Sequence, residues 1–314
     1  MLHEKIKLYE DREDVTLTTY VLDDSVELRN GKKRGAVLIC PGGAYLYCSD
    51  REGEPIAMAF LNMGYHVFVL RYAVYNENKG QNTFDQIIPD LSKPWVEKDC
   101  RHPQPMRDIG KAIVCISEHA DEWLVDVDNI ALCGFSAGAH NCAMYSVHYN
   151  KPVITDYLGI NAGGIRPVAT VLAYMLSDYV DLIHSESTDN ALFISSIKAY
   201  MGEPESITDE QATEVSPCRL VNESTPPMFL WATAGDHLAD PIHTIKMAEA
   251  LCRNHIPYEV HIFEEGQHGL CLGTQATASV KNELDENVAN WIHLADKWLK
   301  KRMALEIPDG TAMF

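Results

Sequence analysis

The chain has 314 residues, 46% of them hydrophobic and 23% charged, an ordinary balance for a soluble globular protein with room for a large core. A formal net charge of −19 argues against nucleic acid or an anionic membrane as partner. No apolar run is long enough to cross a bilayer, and the opening Met1-Leu2-His3-Glu4-Lys5 lacks the apolar core of a secretory signal.

The nine cysteines are odd in number and scattered, and none forms a C-x-x-C pair. Cys40, Cys115 and Cys133 lie in apolar runs, where a reduced thiol behaves as a small hydrophobe. The expectation is a cytoplasmic protein with no metal site and no cofactor.

Val15 to Leu22 is rich in β-branched residues and predicts a strand at the sheet edge. Ala36 to Cys40 predicts a central strand, which runs directly into Pro41-Gly42-Gly43-Ala44-Tyr45. Two glycines after a buried strand let backbone pass close to a neighbour. Glu54 to Met63 predicts a helix ended by Gly64, and His66 to Leu70 the next strand. Residues 74–104 lack periodicity and predict a long loop. Met106 to His119 returns to helical spacing.

Asn129 to Cys133 is a buried strand leading into Gly134-Phe135-Ser136-Ala137-Gly138, and Ala139 to Tyr145 opens a helix. G-x-S-x-G is common by chance; strand, tight turn and helix are the context that makes its serine a nucleophile. The N–H of Ala137, at the helix start, can face an oxyanion. The glycine loop after Cys40 is where a second donor is expected.

Val168 to Tyr174 is a further strand. Residues 175–226 are mixed, with a helix at Ala191 to Met201, and read as a lid-like insertion over the strand ends. Met228 to Thr233 and Tyr258 to Phe263 are strands separated by a helix, Pro241 to Asn254. Val280 to Leu299 has the apolar stripe of one long amphipathic helix. Strands alternating with helices from 36 to 300 imply an α/β fold, a mostly parallel sheet with helices on both faces, in one domain spanning 1–314.

A serine needs a base, and reactive groups of open α/β sheets collect at the carboxyl ends of strands. Asp236 follows the Met228 strand and His268 the Tyr258 strand. Asp240 is the rival acid, although its place before Pro241 also suits a helix cap. The order Ser136, Asp236, His268 is that of a serine–acid–histidine triad.

These blocks, with Pro105-Met106-Arg107-Asp108 and Thr225-Pro226-Pro227-Met228-Phe229-Leu230, resemble the α/β-hydrolase esterase/lipase family. The chain is similar in particular to bacterial carbohydrate esterases that remove acetyl or feruloyl groups. The resemblance implies Ser136 as nucleophile, His268 as base and acid, and Asp236 as its orienter. It implies an oxyanion hole from Ala137 and Gly43, with Gly42 and Ala44 as further candidates. The H-G-G-G stretch of relatives reads Pro41-Gly42-Gly43-Ala44 here, and the acid turn lacks D-x-x-V-P, which keeps Asp240 open. The expected activity is hydrolysis of short-chain acyl esters on a small molecule, acetylated sugars or xylan-derived oligosaccharides among them. A serine peptidase or a non-catalytic binding protein of the same fold are the alternatives.

Overall fold

The structure, a computed structural model, describes residues 1–78, 84–185 and 190–307. Its strands are β1 (Lys5–Lys7), β2 (Thr16–Tyr20), β3 (Arg34–Cys40), β4 (His66–Arg71), β5 (Val125–Phe135), β6 (Ala169–Ala173), β7 (Met228–Thr233) and β8 (Tyr258–Phe263). They form an eight-stranded sheet in the order β1-β2-β4-β3-β5-β6-β7-β8. From β4 to β8 every neighbouring pair is parallel; β2 runs against both of its neighbours.

The helices are α1 (Glu54–Asn62), α2 (Phe84–Ile87), α3 (Gln104–Glu118), α4 (Ala137–His148) and α5 (Pro152–Leu158) before β6. Between β6 and β7 lie α6 (Tyr179–Ile183), α7 (Ala191–Tyr200), α8 (Asp209–Glu214) and α9 (Pro217–Leu220). α10 (Ile242–Arg253) joins β7 to β8, and α11 (Trp291–Met303) follows.

The central strands are apolar except at their ends, and they are buried on both faces of the sheet. The period of two divides them. Leu38, Phe68, Leu132 and Leu230 pack with Ile109, Ile113 and Ala143 on one face. Val37, Ile39, Val69, Cys133 and Trp231 pack with Phe60, Trp291 and Trp298 on the other. α4 packs on β5 and β6, which brings its N-terminus to the carboxyl ends of the central strands.

Three expectations change. β2 is not the edge, because the three residues of β1 pair outside it, Ile6 opposite Leu17. A strand that short shows no period to read in a charged Lys-Ile-Lys. The stripe from Val280 is not one helix: single turns at Lys281–Glu283 and Val288–Asn290 precede α11. Glu283 takes the N–H groups of Ser279 and Val280, and Asp285 those of Asn287 and Val288. Such side chains compete with helical bonds, and Val280 and Leu284 are left exposed. The expected 74–104 loop carries a four-residue helix, α2; residues 79–83 lie outside the described residues. Its start is pinned by the N–H groups of Tyr75 and Asn76, which donate to the carbonyls of Tyr45 and Leu46.

Candidate active site

Ser136 stands between β5 and α4 with φ 49° and ψ −120°, a conformation that L-residues rarely hold. The chain can turn there because Gly138 has no side chain. A Cβ on Gly138 would lie 2.1 Å from the carbonyl oxygen of Cys40 and 2.4 Å from that of Pro41. The end of β3 thus lies against the first turn of α4, beside the serine.

His268 and Asp236 come to the same place from the loops after β8 and β7. His268 Nε2 is 2.9 Å from Ser136 Oγ, and His268 Nδ1 is 2.7 Å from Asp236 Oδ2. A carboxylate only accepts, so Nδ1 carries the proton and Nε2 is left to accept from the serine hydroxyl. Asp236 is buried, and its other oxygen accepts from the N–H groups of Leu238 and Ala239, both at 2.9 Å. That brace fixes the carboxylate and so the ring. Asp240 faces elsewhere, accepting from the N–H of Ile242 at 2.9 Å.

The glycine loop runs along the other side of Ser136. Gly43 has φ +125°, and a Cβ there would meet the Tyr47 carbonyl oxygen at 2.1 Å, so only glycine fits. Among the described residues, no acceptor pairs with the N–H of Gly43, Ala44 or Ala137. The expectation for Gly42 is corrected: its N–H donates to Glu52 Oε2 at 2.7 Å and is taken. Ala44 and Ala137 line a cavity of about 30 Å³ at Ser136 and His268, closed by Leu176, Leu192, Phe193 and Leu238. The segment 175–226 thus supplies much of this wall. Leu176, Phe193 and Leu238 also border a second cavity of about 420 Å³, which reaches Asp181, His184 and His237.

His140 ties the three sides of the site together. Its Nε2 donates to the Val215 carbonyl at 2.8 Å, and its Nδ1, 2.6 Å away, accepts from the Tyr45 hydroxyl. Burial holds this imidazole neutral, with its pKa pushed down to about 3. A group with a depressed folded pKa stabilises fully above its unfolded value of about 6.5, and the contribution is lost as pH falls from there towards 3. The slope is about 1.4 kcal/mol per pH unit for each such histidine. His140→Leu leaves the Tyr45 hydroxyl and the Val215 carbonyl without this partner, an expected loss of about 1–3 kcal/mol at pH 7. Urea unfolding at pH 7 and pH 5 checks both points: the variant is less stable at pH 7, and its stability falls less steeply between the two.

A model of the BD-FAE family matches residues 95–251, half of the chain and including the serine turn and Asp236. An α/β-hydrolase enzyme from a Medee basin deep-sea metagenome library, MGS-M1, is 31% identical and superposes with a TM-score of 0.70 over 97% of this chain and 99% of its own. The chain belongs to the BD-FAE family of α/β-hydrolases. The carboxylesterase Cest-2923 of Lactobacillus plantarum WCFS1 is 25% identical, with a TM-score of 0.76 over 98% of this chain and all of its own. Endo-1,4-beta-xylanase B of Butyrivibrio fibrisolvens is 31% identical over 259 residues, or 81% of this chain. The chain spans about a third (34%) of the length of that relative. Among the described residues no helix is long and apolar enough to cross a membrane.

Two residues of this BD-FAE chain stand beside the hydrogen-bonded line of Asp236, His268 and Ser136 without any signal in the sequence. Glu52 lies in Ser49-Asp50-Arg51-Glu52, which reads as solvated, yet its side chain is buried. Tyr174 ends the β6 run and reads as core; its ring packs edge-on against that of His268, centroids 4.9 Å apart. Its hydroxyl donates to Glu52 Oε1 at 2.7 Å.

Proposed function

We propose that the chain is a serine esterase that hydrolyses short-chain acyl esters, with acetylated sugars such as xylan-derived oligosaccharides as the substrate class. The observation that carries this reading is the hydrogen-bonded line Asp236, His268, Ser136, opening into a cavity of about 30 Å³. Ser136 Oγ attacks the ester carbonyl while its proton passes to His268 Nε2. The oxyanion is held by the N–H groups of Ala137 and Gly43, with Ala44 beside them. Collapse breaks the bond to the alcohol oxygen, which takes the proton from His268 and leaves. Water then attacks the acyl-serine, with His268 again as base, and the acid departs.

The small cavity holds the volume of two or three waters, about that of an acetyl group. The larger, polar cavity beside it suits a hydroxyl-rich alcohol. The names of two relatives, a carboxylesterase and a xylanase, support the ester and the xylan parts of the reading. The single domain belongs to the proposal, with 175–226 as its insertion. So does a reducing, cytoplasmic setting, since the nine cysteines are free thiols and seven are buried.

Hydrolysis of p-nitrophenyl esters of increasing chain length tests it. The kcat/KM is expected to be highest for acetate and to fall by about tenfold or more by the octanoate, because each added methylene must be left out of the cavity or forced into it. Release of acetate from acetylated xylo-oligosaccharides is the companion assay. A preference for long acyl chains, or no turnover of any ester by the folded protein, overturns the reading.

A further inference from the structure

We propose that Glu52 is a positioning residue that holds the oxyanion loop and the face of His268 in register from beneath the site. The proposal rests on the serine-esterase reading above. Glu52 is only 4% exposed, and no Lys or Arg pairs with it among the described residues. Burying a carboxylate with no ion-pair partner is costly, and apolar packing would serve the core better. Its two oxygens are instead divided between the two loops that flank the serine.

Oε2 accepts the N–H of Gly42. Gly42 and Gly43 have no Cβ to set their torsions, so hydrogen bonds must aim the N–H of Gly43, and the carbonyl of its own peptide, that of Gly42, accepts from the Ser49 N–H at 2.9 Å. Glu52 fixes the preceding peptide, whose carbonyl accepts from the Tyr72 hydroxyl at 2.7 Å, through its N–H, and so completes that aim. The site is tight as well: a Cβ on Gly42 would lie 2.8 Å from Glu52 Oε2 and 2.8 Å from the Cβ of Ser136. Oε1 accepts from Tyr174, whose backbone sits at φ 37° and whose ring edge supports His268. One side chain thereby links the oxyanion donor and the general base while touching neither substrate nor reacting atoms.

Three variants, assayed on p-nitrophenyl acetate with thermal unfolding alongside, test this. Glu52→Leu removes both acceptors, and kcat is expected to fall about 10²-fold while KM changes little, the signature of a lost oxyanion aim. Glu52→Gln can still accept from Gly42 and donate to the Tyr174 oxygen, so it should recover kcat to within about fivefold of wild type. Glu52→Asp is drawn back by one carbon and cannot reach both donors, so about a tenfold loss in kcat is expected. The rate of labelling of Ser136 by a fluorophosphonate should follow kcat across the series, because that reaction also places an oxygen in the oxyanion hole. Wild-type kcat in folded Glu52→Leu overturns the proposal. If that variant does not fold, wild-type kcat in Glu52→Asp does so. So does a loss carried by KM alone in any of them. Failure of the serine-esterase reading itself is separate: it would appear as no ester turnover by the folded wild type, or as full activity in Ser136→Ala, whatever Glu52 does.

Discussion

Ser136→Ala is expected to lower kcat for p-nitrophenyl acetate by about 10⁴–10⁶-fold, leaving only the rate that binding and the oxyanion donors can sustain. The loss should fall on chemistry, not on folding. The serine hydroxyl has one hydrogen-bond partner among the described residues, His268 Nε2, and the backbone strain at φ 49° is the same for alanine. The N–H of residue 136 still donates to the Ala173 carbonyl, and its carbonyl still accepts from His140. The melting temperature should therefore stay close to wild type. Steady-state hydrolysis with a thermal scan checks both halves. Substantial esterase activity in the folded variant would remove Ser136 from the nucleophile's place.

The parts legible in the sequence are those governed by a local period or by chain order. The β3 and β7 runs and the second half of β5, from Ile130, are buried on both faces, so apolar stretches mark them. Ser136 and Asp236 each follow such a run and His268 follows the half-exposed β8, and the fold converts that order into a hydrogen-bonded line. Asp236 and Asp240 could not be separated beforehand. Both are turn aspartates, and only the tertiary path shows that one meets His268 and the other caps Ile242. Glu52 was hidden for the opposite reason. Its neighbours in the chain are polar, and its burial comes from Gly42 and Tyr174, which are distant in sequence. The helix expected from Val280 failed because Glu283 and Asp285 bind nearby backbone, a choice the apolar stripe does not reveal.

Asp236→Asn is expected to cost about 10⁴-fold in kcat, although the change is isosteric. The reason lies in the brace. Asp236 Oδ1 accepts two backbone N–H groups, from Leu238 and Ala239, and only an oxygen can take them. An asparagine must therefore keep its carbonyl on that side and turn its NH₂ towards His268 Nδ1. Nδ1 then has to accept, which puts the ring proton on Nε2. In that tautomer the nitrogen facing Ser136 is a donor and no longer a base. Substrate binding does not involve the ring's tautomer, so KM should move little while kcat falls. Asp240→Asn keeps an oxygen for the Ile242 N–H and should leave kcat near the wild-type value. Steady-state kinetics on the two variants side by side separate the acids. A large loss in Asp240→Asn with little change in Asp236→Asn would reverse the assignment, and equal, small effects would mean that no carboxylate orients His268.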